Sequence, residues 1–327
     1  MSQVLTKDSN QVLTKVPLAA EQITVTKKPL AIRIWKERWL YLFMLPGLLY
    51  FIIYKYVPMW GMLMAFKNYQ PHLGIWGSEW VGFRHFQRFF SEPEFGMLLK
   101  NTVFIAVLDL VVFFPVTIIL ALMLNEIRKS VYKRTIQTFV YVPHFLSWVV
   151  VVGIFYIIFG TEGGIINEIL EKLGFEKIAF LTDPEWFRPM VALQMVWKDA
   201  GWGTVIFLAA LAGVNSNLYE AASMDGASRF RLLWHVTLPS IRSVIVILLI
   251  LRLGNFLDLG FEQIFLMVNA LNREVGEVFD TYVYRVGMQQ GQFSYSAAVG
   301  VFKSIVSLIL VLGANWLAKK FGEEGVY

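Results

Sequence analysis

The sequence predicts an all-α polytopic membrane protein with six transmembrane helices, and three observations predict it. Of 327 residues, 57% are hydrophobic and only 16% are charged, whereas soluble domains carry charge at about a quarter of their positions. The apolar residues are gathered into runs of about 20 or more, the length at which a helix crosses a bilayer. Nothing alternates apolar and polar residues over the many short segments that a membrane barrel needs.

Taken in order, residues 1–38 are polar and hold Lys7, Lys15, Lys27, Lys28, Arg33, Lys36 and Arg38. They lack an apolar h-region and a small-residue cleavage site, so an uncleaved, flexible tail is expected, closing in a basic interfacial turn at Ile34–Arg38. The first span is placed at 39–66 and an outer loop at 67–98, with Trp76, Trp80 and Phe83. Five further spans, at 99–125, 135–160, 187–214, 239–268 and 295–318, make a core over 99–318, followed by a tail at 319–327. Pro46, Pro115 and Pro143 fall inside spans, where neighbouring helices re-satisfy the freed backbone groups. Arg128, Lys129, Lys133 and Arg134 between the second and third spans join the basic tails on one side of the membrane. The positive-inside rule makes that side, with both termini, cytoplasmic. The net charge of +5 then marks a membrane face, and nucleic acid is not expected as a partner.

Much chemistry is excluded. There is no cysteine, hence no disulfide, thiolate nucleophile or zinc–cysteine site. His72, His85, His144 and His235 are scattered without metal-ligand spacing, so no metal site is expected. No GxxxxGK[ST] loop offers a nucleotide site, and no GxSxG elbow marks a hydrolase. The chain is expected to catalyse nothing and to hold no cofactor. Uphill movement of a solute would draw on an ion gradient or on another subunit.

Charged residues within spans are functional candidates. Arg252 and Asn255 lie roughly 20–24 Å above the inner end of the fifth span at 1.5 Å per residue. Lys198 and Asp199, Asp109, and Lys303 stand at about 24–25 Å on three other spans. On a continuous fifth helix Arg252, Asn255, Asp258 and Glu262 would share one stripe, with Trp197, Trp202 and Phe256 nearby. Aromatic faces beside hydrogen-bonding groups suit a sugar. Three readings stay open: a pathway lining, ion pairs inside the bundle such as Asp199 with Arg252, or headgroup-level residues beyond the true helix ends.

The stretch YEAASMDGASRFRLLWHVTLPS, Tyr219–Ser240, lies on the cytoplasmic side between the fourth and fifth spans. Small residues followed by Gly226 predict two short helices broken near Asp225-Gly226, with Leu238-Pro239 opening the next span. An interfacial amphipathic helix is the plain alternative. Glu220, Ala221 and Ala222, then three residues, Gly226, nine residues, Val236, one residue, and Leu238-Pro239 match the EAA motif, with valine for isoleucine. The chain thereby resembles the inner-membrane permease subunits of type I ABC importers. YVPMWGMLMAFKNY, MDGAS, DTYVYRVG and FSYSAAVG extend the resemblance to the oligosaccharide and polysaccharide branch, which includes permeases for acidic polysaccharides such as alginate.

The resemblance implies coupling helices at 216–237, with Glu220, Ala221, Ala222, Asp225, Gly226, Arg229, Leu238 and Pro239 at the ATPase surface. It implies a bacterial inner-membrane location, a second homologous permease, an extracytoplasmic solute-binding protein met by loops 67–98 and 269–294 (Tyr282, Tyr284, Arg285), and two ATPase subunits that bind ATP and Mg. The plain alternative for the two loops is a lid over the bundle. The proposed pathway residues are Asp109, Lys198, Asp199, Trp202, Arg252, Asn255, Phe256, Asp258 and Lys303. A permease of the same fold for another solute and a stand-alone ion-coupled transporter remain the alternatives.

Overall fold

A computed structural model describes residues 35–258 and 260–322. The expected tail through residue 34 and the end of the C-terminal tail, 323–327, lie outside the described residues. The chain divides into two units, Met1–Met59 and Trp60–Tyr327.

In the first unit a helix over Arg38–Phe51 continues through a π turn, Ile52–Tyr56, to Val57–Met59, and none of its residues is buried. Pro46 sits inside it without ending it. Arg38 stacks its guanidinium on Trp35 and Trp39, 4.8 and 5.8 Å from the ring centres, the amphipathic pairing found at membrane interfaces.

Among its described residues, the second unit's regular structure is helical apart from one short antiparallel hairpin, Lys67–Asn68 with Glu79–Trp80, in the loop after the first span. Among the described residues, counting Arg38–Phe66, four helices are long and apolar enough to cross a membrane, the others being Glu94–Glu126, Pro184–Ala212 and Phe293–Lys320. Two bent pairs make up six: Ser130–Phe145 with Trp148–Phe159, bent by 104°, and Arg229–Ser240 with Arg242–Gly254, bent by 61°. The fold is thus an all-α, six-span membrane protein.

The bends correct three expectations. The third span is no single helix over 135–160: Pro143 lacks an N–H and restricts its predecessor, and a 3₁₀ turn at Val142–Phe145 ends the first half. The second half starts anew at Ser147, whose hydroxyl accepts from the Val150 amide. The fifth span does not open at Leu238-Pro239, because helix runs through to Ser240 and the break falls at Ile241. Nor does it continue to 268. It stops at Gly254, and a short helix resumes only at Phe261–Met267. The expected stripe from Arg252 to Glu262 is therefore divided, and Asn255 and Asp258 lie in the intervening loop.

Three apolar clusters hold the unit together. The largest joins Val151, Val152 and Phe155 of the third span to Phe187, Met190 and Val191 of the fourth and to Ile264 and Met267. A second packs Phe89 and Leu98 against Phe279, Tyr282 and Tyr295. A third sets Phe114 and Ala121 on Phe207, Leu211 and Ile241. Each buried side chain of this size contributes about 1.5–3 kcal/mol where it leaves water. Between helices in lipid, dispersion and close approach do more. Gly201 shows the latter: a Cβ there would lie 2.1 Å from the Val140 carbonyl oxygen, so only glycine lets the fourth span seat against the third-span bend.

Candidate functional site: a polar cavity and an exposed helical hairpin

A cavity of about 390 Å³ opens among the second, third, fourth and fifth spans. Its lining includes Asp109 and Phe113, His144 and Trp148, Asp199 and Trp202, and Arg252, Asn255, Asp258 and Gln263. Buried charges survive only when paired and hydrogen-bonded, and the geometry supplies partners for each. Arg252 Nη2 donates to Asp109 Oδ1 at 2.9 Å. Its Nε lies 2.8 Å from Oδ2, an ion-pair contact poorly angled for a hydrogen bond. The guanidinium carbon stands 4.3 Å from the Phe113 ring centre.

Also lining the cavity, His144 Nδ1 meets Asp199 Oδ1 at 2.8 Å, and the imidazole lies parallel to the Trp202 indole with centroids 4.7 Å apart. Lys198 Nζ donates to the His144 carbonyl at 2.8 Å, lies 3.6 Å from Asp199, and sits 5.3 Å from the Trp148 ring centre. The third-span bend presents His144 here, and Gly201 leaves room for the Val140 backbone just before that bend. The result is a flat aromatic surface beside fixed polar groups.

Of the nine pathway candidates, Asp109, Asp199, Trp202, Arg252, Asn255 and Asp258 line this one cavity. Lys198 is buried behind the wall. Lys303 lines a separate hollow of about 460 Å³ on the far side of the Asn255–Asp258 loop, paired with Asp280 and 3.7 Å from Asp258. Phe256 is half-buried and faces neither hollow. Asp199 does not pair with Arg252; each has its own partner. Phe113, Trp148 and Gln263 have no place in the sequence reading, and His144 stands there only among the scattered histidines. A proline–histidine pair inside an apolar span was the available signal for His144.

The coupling candidates form a helical hairpin. Ser216–Met224 is capped by Asn215, whose side chain accepts from the Asn217 amide. It ends with the Gly226 amide bonded to the Ser223 carbonyl and the Ala227 amide to that of Ala222, a Schellman turn that requires a left-handed residue. Gly226 provides it at φ +76°. Ser228 then caps the helix at Arg229–Leu232, accepting from the Arg231 amide. The break near Asp225-Gly226 is as expected. Glu220, Ala221, Asp225, Gly226, Arg229 and Pro239 are exposed, and Ala222 and Leu238 half-buried. Met224, Phe230 and Trp234 stand exposed around the turn.

In the two loops expected outside, Trp76, Trp80 and Phe83 are exposed. Tyr282 is not: it is buried and hydrogen-bonded to Tyr295, whose ring carries Arg88. Arg285 forms a fork with Glu277, at 2.7 and 2.9 Å, and this pairing raises its pKa further.

Membrane-crossing helices around an ion-paired cavity, with an exposed helical hairpin between two spans, define a membrane transport component. Residues 114–323 match the family described as binding-protein-dependent transport system inner membrane component, and the chain belongs to that family. It is 59% identical over 292 residues to Protein LplB of Bacillus subtilis (strain 168), covering 89% of this chain and 92% of that protein. It is 58% identical over 301 residues to the polygalacturonan/rhamnogalacturonan transport system permease protein YteP of the same organism, covering 92% of this chain and 94% of that protein. Among solved structures it resembles a chain of a bacterial ABC transporter involved in import of the acidic polysaccharide alginate, with 39% identity and a TM-score of 0.83 over 89% of this chain and 98% of that one. The same holds for a bacterial alginate ABC transporter in complex with an alginate pentasaccharide-bound periplasmic protein, at 38% identity and a TM-score of 0.84, covering 91% of this chain and 99% of that one. This chain is therefore an inner-membrane permease subunit of an ABC transport system.

Proposed function

We propose that the chain is the permease of an ATP-driven importer of oligo- or polysaccharides, with the cavity between second and fifth spans as its half of the pathway. The observation that carries the cargo class is the parallel His144–Trp202 surface, edged by Asp199, Asn255 and Gln263, in a chain so similar to a permease named for polygalacturonan and rhamnogalacturonan transport. An aromatic plane covers the apolar face of a sugar ring while polar groups orient its hydroxyls.

In this reading both termini are cytoplasmic. A second, homologous permease completes the cavity, and an extracytoplasmic solute-binding protein delivers the cargo to the outer loops. Two ATPase subunits bind ATP and Mg. Their closure moves the Ser216–Leu232 hairpin, and the hairpin transmits that movement to the fifth span through the bend at Ile241, switching the cavity between the two sides. The exposed apolar residues Met224, Phe230 and Trp234 support a docked hairpin, since exposed apolar groups around a turn otherwise face water at a cost.

Copurification of the tagged chain, with mass spectrometry of bound partners and glycan, tests the assignment. Recovery of a second permease, an ATPase and an oligosaccharide is expected. Recovery of the chain alone, with uptake driven by an ion gradient, would overturn it.

A further inference from the structure

The polar cavity borders a second hollow of about 240 Å³, lined by Phe114, Thr117, Ile206, Phe207, Leu248 and Leu251. Three spans give the same order of depth. On the second, Ile105 and Asp109 line the first hollow and Phe114 and Thr117 the second. On the fourth, Met195 and Asp199 precede Ile206 and Phe207. Along the fifth, which runs the other way, and the loop and short helix that follow it, Leu248 and Leu251 precede Asp258 and Gln263. Phe113, Gly203, Arg252 and Asn255 line both hollows and so mark the boundary between a polar chamber and an apolar one. Among the described residues lining the two, Arg252 is the sole lysine or arginine.

The setting of Arg252 leaves part of it unused. Asp109 engages Nε and Nη2 along one edge, and Phe113 supports one face of the plane. Nη1 has no partner among the described residues, and the side chain is about a third exposed, at 36%. A guanidinium offers five donors in a rigid fork matched to carboxylates. Here one carboxylate of the protein holds the fork in place while its remaining edge is free.

The other acids of the polar chamber do not compete for it. Asp199 is engaged by His144 and Lys198, and Asp258 lies 3.7 Å from Lys303. The charge balance of the chamber thus consists of local pairs, and a single donor edge stands at the passage to the apolar side.

We infer that Arg252 is a specificity-determining residue that binds a carboxylate substituent of the cargo at the boundary between the two chambers, with Asp109 and Phe113 as positioning residues. The inference rests on the saccharide reading and narrows it to acidic sugars. A charge-assisted, two-point contact to a carboxylate is stronger than one to a neutral hydroxyl. A site built for it rejects a cargo that lacks the group, because the donors are left unpaired. Lysine at this position would keep the charge but lose the fork.

The test uses the assembled importer in proteoliposomes, supplied with oligogalacturonides and with the same oligosaccharides carboxyl-reduced to neutral galactose units. The readout is the ratio of kcat/KM for the two cargoes. Arg252→Gln should lower the acidic-to-neutral ratio at least tenfold, mostly through loss on the acidic cargo. Arg252→Lys should restore the ratio in part, and Asp109→Asn should lower it while ATPase recovery stays at the wild-type level. If Arg252→Gln slows both cargoes equally, or leaves both unchanged, the inference is overturned and the saccharide reading stands. If the wild-type importer takes up neither cargo, the saccharide reading falls as well.

Discussion

Gly226 separates two demands that a single substitution usually confounds. Within the chain, Gly226 is exposed and a Cβ at this position meets nothing within 4 Å, so a side chain there starts into open space in the isolated subunit. The only internal cost comes from the left-handed backbone at φ +76°, about 1–2 kcal/mol for a non-glycine L-residue. Asparagine tolerates that conformation and alanine does not. Gly226→Asn should therefore form the hairpin nearly as well as wild type, while Gly226→Ala and Gly226→Trp should share the same penalty, about a 5- to 30-fold loss in occupancy of the native turn.

Against a docked ATPase the order changes, because bulk then decides. Trp should weaken recovery of the ATPase on the purified permease and its coupled hydrolysis far more than Ala does, by about tenfold or more for every 1.4 kcal/mol of displaced contact. Asn should fall between wild type and Trp. The assay is quantitative pull-down of the ATPase together with cargo-stimulated ATP hydrolysis, with membrane insertion as control. Equal effects of Ala and Trp would show that only the turn conformation matters, and would refute the placement of Gly226 at the coupling surface.

Two other expectations concern stability. Gly201→Leu would drive its Cβ to 2.1 Å from the Val140 carbonyl, a backbone clash beyond the usual 1–3 kcal/mol of overpacking; detergent-solubilised protein should show a clear drop in Tm. Gly153→Leu, with nothing within 4 Å of the added Cβ, should leave Tm within a degree or so of wild type on the same scale, and a matching loss in both variants would discredit the packing argument. In the loop after the first span, burial holds the His85 imidazole below its ordinary value of 6.5; the hydrogen bond to the Lys67 carbonyl opposes this, and Arg84 and Arg88 reinforce it. The folded state thus prefers the neutral ring, so its contribution is complete above the unfolded pKa and is lost as pH falls through the depressed one. Thermal unfolding of wild type should converge on that of His85→Gln as the medium is acidified; a gap that widens on acidification reverses the sign.

The spans and the hairpin were readable because hydropathy and turn chemistry are local. The Asp225-Gly226 break is encoded by a glycine exactly where a left-handed residue is needed. Six pathway candidates met in one cavity for a physical reason: a charged group in a span must turn inward to find partners. The partners themselves were not local. Arg252 pairs with Asp109 across 143 positions, and nothing in periodicity chooses Asp109 over Asp199. The continuous fifth span failed because its apolar content outweighed Gly254, Asn255, Asp258 and Gly260, a cluster of turn formers that ends the helix. The role of His144 was not legible because it depends on a 104° bend in the third span and on a partner, Asp199, 55 positions away.

The central claim is that the cavity belongs to an importer powered by partner ATPases. Its most direct test is uptake of labelled oligogalacturonide into proteoliposomes containing the chain with its copurifying permease and ATPase, in the presence of the binding protein. The expected accumulation requires ATP and Mg²⁺, is indifferent to collapse of proton and sodium gradients, and disappears when the ATPase is omitted. Accumulation by the isolated chain on an imposed ion gradient, without nucleotide, would contradict it.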